Sequence, residues 1–197
     1  MNNIEVIDNF LEKEIFDYVY NKINDGNFPW FKNKDPYTVD KKDLDSTDKF
    51  KDMIEYMQFV HIFYSYNSLK NVYEKSNYFN IIEGLCNQLL KKFNRENILI
   101  KRAKVNLQPQ NLNFSKHNHN SPHVDLKDED HKVLLLYVND SDGDTFFFDK
   151  NSKIIKKVSP VKNRAVIFDG NILHAGSHPK NSDYRIVVNI DFNIGSL

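Results

Sequence analysis

The chain has 197 residues and 23.3 kDa, and its 27 Lys+Arg balance 27 Asp+Glu, so a sequence-independent grip on phosphate backbones, which needs a basic face, is not expected. A hydrophobic content of 40% with 13% aromatics excludes disorder as the main state, and a single cysteine, Cys86, excludes an internal disulfide or a cysteine-based zinc site. No apolar run approaches the roughly 18 residues of a membrane span, and the start MNNIEVIDNF has no basic-then-apolar leader, so a reducing cytoplasm is the expected compartment.

Ile4–Ile7 reads as a short strand. Asn9 stands three residues before Glu12 like a capping box, and Leu11, Ile15, Val19 and Ile23 recur at helical spacing, predicting a helix over 10–24. Residues 25–52 are turn-rich and then almost entirely charged; they read as a surface loop with Trp30 and Phe31 as apolar anchors. The acid-rich 40–52 stretch reads as a solvated face, with a lid over a substrate as the sharper alternative. His61, in an aromatic stretch, reads as a packed histidine. A second helical zone runs over 68–94, with Phe79, Ile82, Leu85, Leu89 and Phe93 as its buried stripe.

Past Asn94 the helical period gives way to short strands at 98–107, 121–126, 132–139, 145–149, 153–158, 164–168, 172–176 and 184–193, separated by turn chemistry such as NDSDGD, DKNS and HPKNSD. Eight short strands without intervening helices predict a sandwich or jelly roll. The expected class is α+β, mainly β: one domain, with a mainly helical annex over 1–96 and a double-stranded β-helix, or jelly-roll, core over 97–197.

Seven histidines are present, and only His123 stands in a His-x-Asp pair, with Asp125. Residues two apart on a strand share a face, so imidazole and carboxylate project into the same space. His174 lies on the predicted seventh strand, which neighbours the second in a jelly roll. Two histidines and one carboxylate leave open positions suited to non-haem Fe(II). Arg185 opens the last strand; facing inward, it needs a bidentate anion such as a carboxylate. The Tyr137 hydroxyl can reach the same anion, and Asn189 shares a strand face with Arg185 and lines the same pocket. His117 and His119 in KHNHN read as a solvated loop, with a second metal as the minor alternative. The run DLKDEDH reads as a solvated loop at the barrel mouth, with His131 starting a strand.

The pieces SPHVD, KVLLLYVNDSDGDTFFFD, NRAVIFDGNILHAG and DYRIVVNIDF, in that order and spacing over 98–193, resemble the 2-oxoglutarate- and Fe(II)-dependent oxygenases. The likeness is to the prolyl-4-hydroxylase-like branch, and within it to small oxygenases of bacteriophages and marine bacteria. NFPWF and QFVHIFY resemble the phage-type members more weakly. The resemblance implies that His123, Asp125 and His174 bind Fe(II) and that Arg185, assisted by Tyr137, holds the distal carboxylate of the co-substrate 2-oxoglutarate. It also implies dioxygen as a partner and hydroxylation of a peptide or small-molecule substrate with release of succinate and CO2. The location would be the cytoplasm, that of a host if the chain is phage-encoded. The family's Gly-Gly turn is Gly143-Asp144 here. The first core strand has no Tyr to reach the metal-bound end of the co-substrate, which leaves Asn106 or Gln108 for that task. Arg185 in place of Lys sets the chain apart from collagen-type prolyl hydroxylases. The alternatives are a nucleobase demethylase of the same superfamily, or a non-enzymatic metal- or sugar-binding jelly-roll module.

Overall fold

The computed structural model describes residues 3–33, 56–67, 69–113, 119–126 and 130–194. The charged stretch 40–52, His117 and residues 127–129 of the run after Asp125 lie outside the described residues. In chain order the elements are β1 (Ile4–Ile7), α1 (Lys13–Ile23), β2 (Phe31–Asn33), β3 (Gln58–Asn67), β4 (Val72–Lys75), α2 (Glu83–Phe93), β5 (Leu99–Pro109), β6 (Lys132–Tyr137), β7 (Thr145–Phe148), β8 (Ile154–Val158), β9 (Ala165–Asp169), β10 (His174–Gly176) and β11 (Tyr184–Asn193).

The large antiparallel sheet runs β1-β9-β6-β11-β5-β3-β2, with β4 on β3, and the small one runs β10-β7-β8. His123 makes an isolated antiparallel bridge to His174, extending the small sheet past β10. The two sheets face each other as the expected jelly roll. The central strands β6 and β11 are buried on both faces and read as mostly apolar runs. Outward-facing Leu134, Leu136, Ile186, Val188, Ile190 and Phe192 pack against Phe16, Val19 and Ile23 of α1 and Leu85 and Leu89 of α2. Inward-facing Val133, Leu135, Tyr137, Phe147, Val166, Phe168 and Val187 fill one end between the sheets. The polar half of the same interior holds the site.

The N-terminal half departs from its sequence reading. α1 starts at Lys13, not near Phe10, because Asn163, 152 residues away from Leu11, claims the backbone first. Its side chain accepts from Leu11 N–H at 3.0 Å and donates to Leu11 C=O at 2.8 Å. Asn9 meanwhile adopts φ 52°, which breaks a helix start there. Within the expected loop, Phe31–Asn33 forms β2 and pairs with β3, and Phe31 is 60% exposed rather than an anchor. The second helical zone yields Val72–Lys75 to β4, which closes a hairpin on β3; regular helix begins only at Glu83. β3 itself, QFVHIFYSYN, pairs with β5 and carries the large sheet beyond the jelly roll into the annex. Conversely, the expected strand 121–126 is reduced to the His123 bridge. His61 is packed as expected, with its ring nitrogens on Pro29 C=O and Ser76 Oγ.

Candidate metal centre

The pairing of β5 with β11 lays down the site row by row. Gln108 lies opposite Arg185, Asn106 opposite Val187, Lys104 opposite Asn189 and Arg102 opposite Asp191. Alternate residues of a strand share a face, so these eight side chains form a mostly polar file along the barrel interior. Ala103, Val105, Ile186, Val188 and Ile190 turn to the helices. The small sheet supplies the opposite wall with His123, Thr145, His174 and Gly176, and the two walls enclose a cavity of about 40 Å³ that opens towards solvent.

At one end of this cavity His123, Asp125 and His174 each offer a ligand atom, and the three atoms lie within 4.8 Å of one another. Each histidine contacts a backbone carbonyl through Nδ1, His123 to Ser121 at 3.2 Å and His174 to Ile172 at 3.1 Å. With Nδ1–H donating there, Nε2 is left as the lone-pair nitrogen. His174 Nε2 is 3.2 Å from Asp125 Oδ2. Asp125 is held from behind: Arg102 Nη2 donates to Oδ1, Asn189 Nδ2 donates to Oδ2 at 3.1 Å, and Lys104 Nζ lies 3.7 Å from Oδ1. Arg102 also donates through Nε to Asp191 Oδ2 at 2.8 Å. Burial pushes the Asp125 carboxyl up, but the adjoining His174 imidazole and the Lys104 and Arg102 charges overcome it and hold it well below the usual range. Asp191 goes the other way, raised by burial and by the charge of Asp125. Lys104 is lowered by burial and by Arg102.

The far end belongs to Arg185, which is 5% exposed. Its Nη1 donates to Gln108 Oε1 at 2.6 Å and its Nη2 to Thr145 Oγ1 at 2.7 Å, and Tyr137 OH donates to the same Thr145 oxygen at 2.8 Å. The two side-chain oxygens that these bonds place on the guanidinium are both neutral. Gly143 makes room for it: a Cβ there would sit 2.9 Å from Arg185 Cδ and 2.7 Å from Ser177 C=O.

Of the residues singled out in the sequence, the structure gathers His123, His174, Arg185 and Asn189 along this one cavity, with Asp125 against His174 and Tyr137 behind Thr145. Asn189 contacts Asp125, not Arg185. Between the two first-strand candidates, Gln108 is engaged with Arg185, and Asn106 stands nearer the triad with a buried Oδ1 that has no hydrogen-bond partner among the described residues. His119 is 5% exposed, with its ring against Phe146 and Phe148, so it is packed rather than solvated. Arg102, Lys104, Thr145 and Asp191 were not anticipated. The signal for the first two was present in KRAKVNLQ, where polar residues occupy every second position of a strand otherwise facing the core.

Acid titration reads the burial of the triad. His123 in the metal-free chain is pushed down to about 3, first by burial and then by the neighbouring His174. An unfolded histidine titrates near 6.5, so between those values the unfolded chain binds the extra proton. Stability therefore falls as pH drops from about 6.5 towards 3, by up to about 1.4 kcal/mol per pH unit. Urea unfolding of metal-free wild type and His123→Phe near pH 7 and near pH 5 checks this: the wild type should lose more stability across the interval than the variant, and equal losses contradict it.

No protein-family model matches the chain, and no curated protein sequence does. Solved structures match its fold. A prolyl hydroxylase of Trichoplax adhaerens, in complex with a hypoxia inducible factor oxygen degradation domain peptide fragment, is 15% identical, with a TM-score of 0.60 over 98% of this chain and 84% of that one. The viral collagen prolyl hydroxylase of Paramecium Bursaria Chlorella virus-1, solved as a 2-oxoglutarate complex, is 17% identical, with a TM-score of 0.52 over 96% and 94%. SnoN, a non-heme alpha ketoglutarate dependent epimerase from nogalamycin biosynthesis, is 7% identical, with a TM-score of 0.58 over 98% and 78%. The chain thus has the fold of 2-oxoglutarate- and Fe(II)-dependent oxygenases. At these identities the likeness is one of fold, and it spans neighbours with different reactions.

Proposed function

We propose that the protein is an Fe(II)- and 2-oxoglutarate-dependent oxygenase that hydroxylates its substrate, with a prolyl or other peptide substrate as the leading class. One observation carries this reading: a single cavity joins a His-Asp-His triad at one end to a buried, forked guanidinium at the other. The donor set fits the metal. Two imidazoles presenting Nε2 and one carboxylate suit Fe(II) and leave further coordination positions open. The Arg185 fork fits a carboxylate. When bound, Fe(II) and 2-oxoglutarate supply the activation of dioxygen, with release of succinate and CO2.

The chain's own residues do the rest. Ser121 and Ile172 carbonyls hold the two imidazoles in one tautomer. Arg102 and Asn189 fix the rotation of the Asp125 carboxylate, and Oδ2 is its oxygen nearest His174 Nε2. Gln108, Thr145 and Tyr137 hold Arg185 in the plane that receives the distal carboxylate. Leu135 and Val187 supply an apolar lining between the two ends.

The test is anaerobic addition of Fe(II) and then 2-oxoglutarate, followed by weak visible charge-transfer absorption of the chelate. Succinate formation is then screened against peptide, nucleoside and amino-acid pools. Stimulation by nucleosides moves the assignment to a nucleobase demethylase. Absence of both the band and succinate leaves a metal- or sugar-binding module.

Asp142 clasps the loop that precedes Arg185. Its carboxylate accepts from the backbone N–H groups of Lys180, Asn181 and Ser182 at 3.1, 3.0 and 3.0 Å and from Asn181 Nδ2 at 2.9 Å. Burial pushes it up, but these N–H groups hold it at about 2. The clasp joins the turn carrying Gly143 and Thr145 to the loop before Arg185. Asp142→Ala should weaken 2-oxoglutarate binding by about tenfold, the equivalent of one or two hydrogen bonds, while Mn(II) affinity stays within about twofold. Calorimetry of both ligands checks it, and an equal effect on both contradicts it.

A further inference from the structure

A second pocket, of about 390 Å³, is lined by Ser65, Tyr66, Tyr73, Lys101, Arg102 and Leu126. It adjoins the triad, because Arg102 donates to Asp125 and Leu126 follows Asp125 in the chain. The pocket lies where two strands part. Pairing of β3 with β5 ends at Tyr64 and Ala103, while β3 runs on to Asn67 beside β4 and β5 has started at Leu99 beside β11. Its two rings are held by the hairpin itself. Tyr73 stacks on Tyr64, with centroids 5.2 Å apart and planes 8° from parallel, and lies tilted against Tyr66 at 5.3 Å. The Tyr66 hydroxyl donates to Asn71 Oδ1. Both rings are nevertheless open to solvent, Tyr66 by 48% and Tyr73 by 45%. Rings already fixed in place offer contact area at little further entropic cost.

The β5 side of the pocket is cationic, with Lys101 next to Arg102. Arg102 gives Nε to Asp191 and Nη2 to Asp125, and its Nη1 makes no hydrogen bond among the described residues. Two carboxylates already balance this guanidinium, so it has little pull left for a full anion, while a cationic ligand would be repelled. A neutral, electron-rich ring suits both sides: it stacks on the tyrosines and turns its face to the guanidinium. We infer that this pocket takes an aromatic side chain of a peptide substrate, docked next to the residue presented to the triad. A nucleobase has a similar face but brings phosphates, and the balance of 27 basic and 27 acidic residues provides no excess charge for them. That the ring belongs to a substrate rests on the oxygenase reading; the ring site itself does not.

The experiment titrates N-acetyl-4-fluorophenylalaninamide, a neutral blocked ring, into the full chain and follows its fluorine resonance. Bound probe should broaden more with Mn(II) than with Zn(II) in the protein, since Arg102 ties the pocket to Asp125. Tyr66→Leu and Tyr73→Leu should each weaken binding about fivefold, and Tyr73→Phe should stay close to wild type. If loss of the Tyr64 stack leaves Tyr73→Leu unfolded, Tyr66→Leu carries the comparison. N-acetylleucinamide should displace the probe at least about fivefold less well than N-acetylphenylalaninamide. No binding, equal displacement by the leucine analogue, unchanged binding in the leucine variants or equal broadening by the two metals overturns the proposal. Adenosine displacing the probe more tightly than N-acetylphenylalaninamide overturns the peptide assignment. Should neither metal bind, titration of the metal-free chain still ranks the variants and competitors. The oxygenase reading fails separately: a wild type that binds the probe but forms no succinate with any peptide loses that reading and keeps the ring site. Where peptides do turn over, Tyr66→Leu should raise KM for those with an aromatic residue about fivefold and leave kcat unchanged.

Discussion

Asp125→Ala and His174→Ala are each expected to weaken Fe(II) or Mn(II) binding by more than about a hundredfold, since losing a ligand costs more than losing the partner of one. Both should abolish succinate formation. The two variants should separate in stability. His174 is buried among Phe147, Phe168 and His123, and its truncation opens a cavity worth about 2–4 kcal/mol. Asp125 is the anion that Arg102, Lys104 and Asn189 converge on. Its removal also strands buried positive charge, and breaking such a group from one side costs about 3–5 kcal/mol. Metal-free urea unfolding should therefore rank Asp125→Ala below His174→Ala. The reverse order would mean that Asp125 is not the electrostatic centre of the cluster.

Arg185→Ala should produce the complementary defect. Two charge-assisted hydrogen bonds to a carboxylate contribute about 1.5–3 kcal/mol each, so 2-oxoglutarate affinity should fall by about a hundredfold or more. Metal affinity should change by less than about threefold, because Arg185 touches Gln108 and Thr145 and stands apart from the triad's own hydrogen bonds. Arg185→Lys should recover only part of the loss, since an ammonium cannot reproduce the fork that spans those two oxygens. Titrating metal and 2-oxoglutarate separately into each variant checks the split. A proportional loss of both would contradict the division of the cavity into a metal end and an anion end.

The jelly-roll strands were legible because their boundaries are local. Turn residues flank 145–149, 153–158 and 164–168, and the strands formed within a residue or so of those limits. The triad was legible because one His-x-Asp pair occurs in the chain and a strand histidine lies where the second and seventh strands meet, as the His123–His174 bridge shows. The annex was harder to read because its structure is decided at a distance. β3 is specified by its pairing to β5, about forty residues on, and α1 begins where Asn163 lets go of Leu11. No local window contains either partner. Arg102 and Lys104 were missed for a related reason: charged residues on a strand suggest solvent, and only the opposed Asp191 and Asn189 on β11 show that this face is enclosed.

The interleaving of β5 and β11 has an effect on how errors are tolerated. A slip of a single position between these two ribbons would carry Gln108, Asn106, Lys104 and Arg102 to the helix-covered side and bring Ala103 and Val105 into the ligand chamber. Misaligned chains thus bury several charges in oil and forfeit the apolar seam at the same time. Correct threading and assembly of the reactive chamber become one cooperative event, and a one-residue deletion within 102–108 should leave insoluble protein rather than a folded, inactive shell.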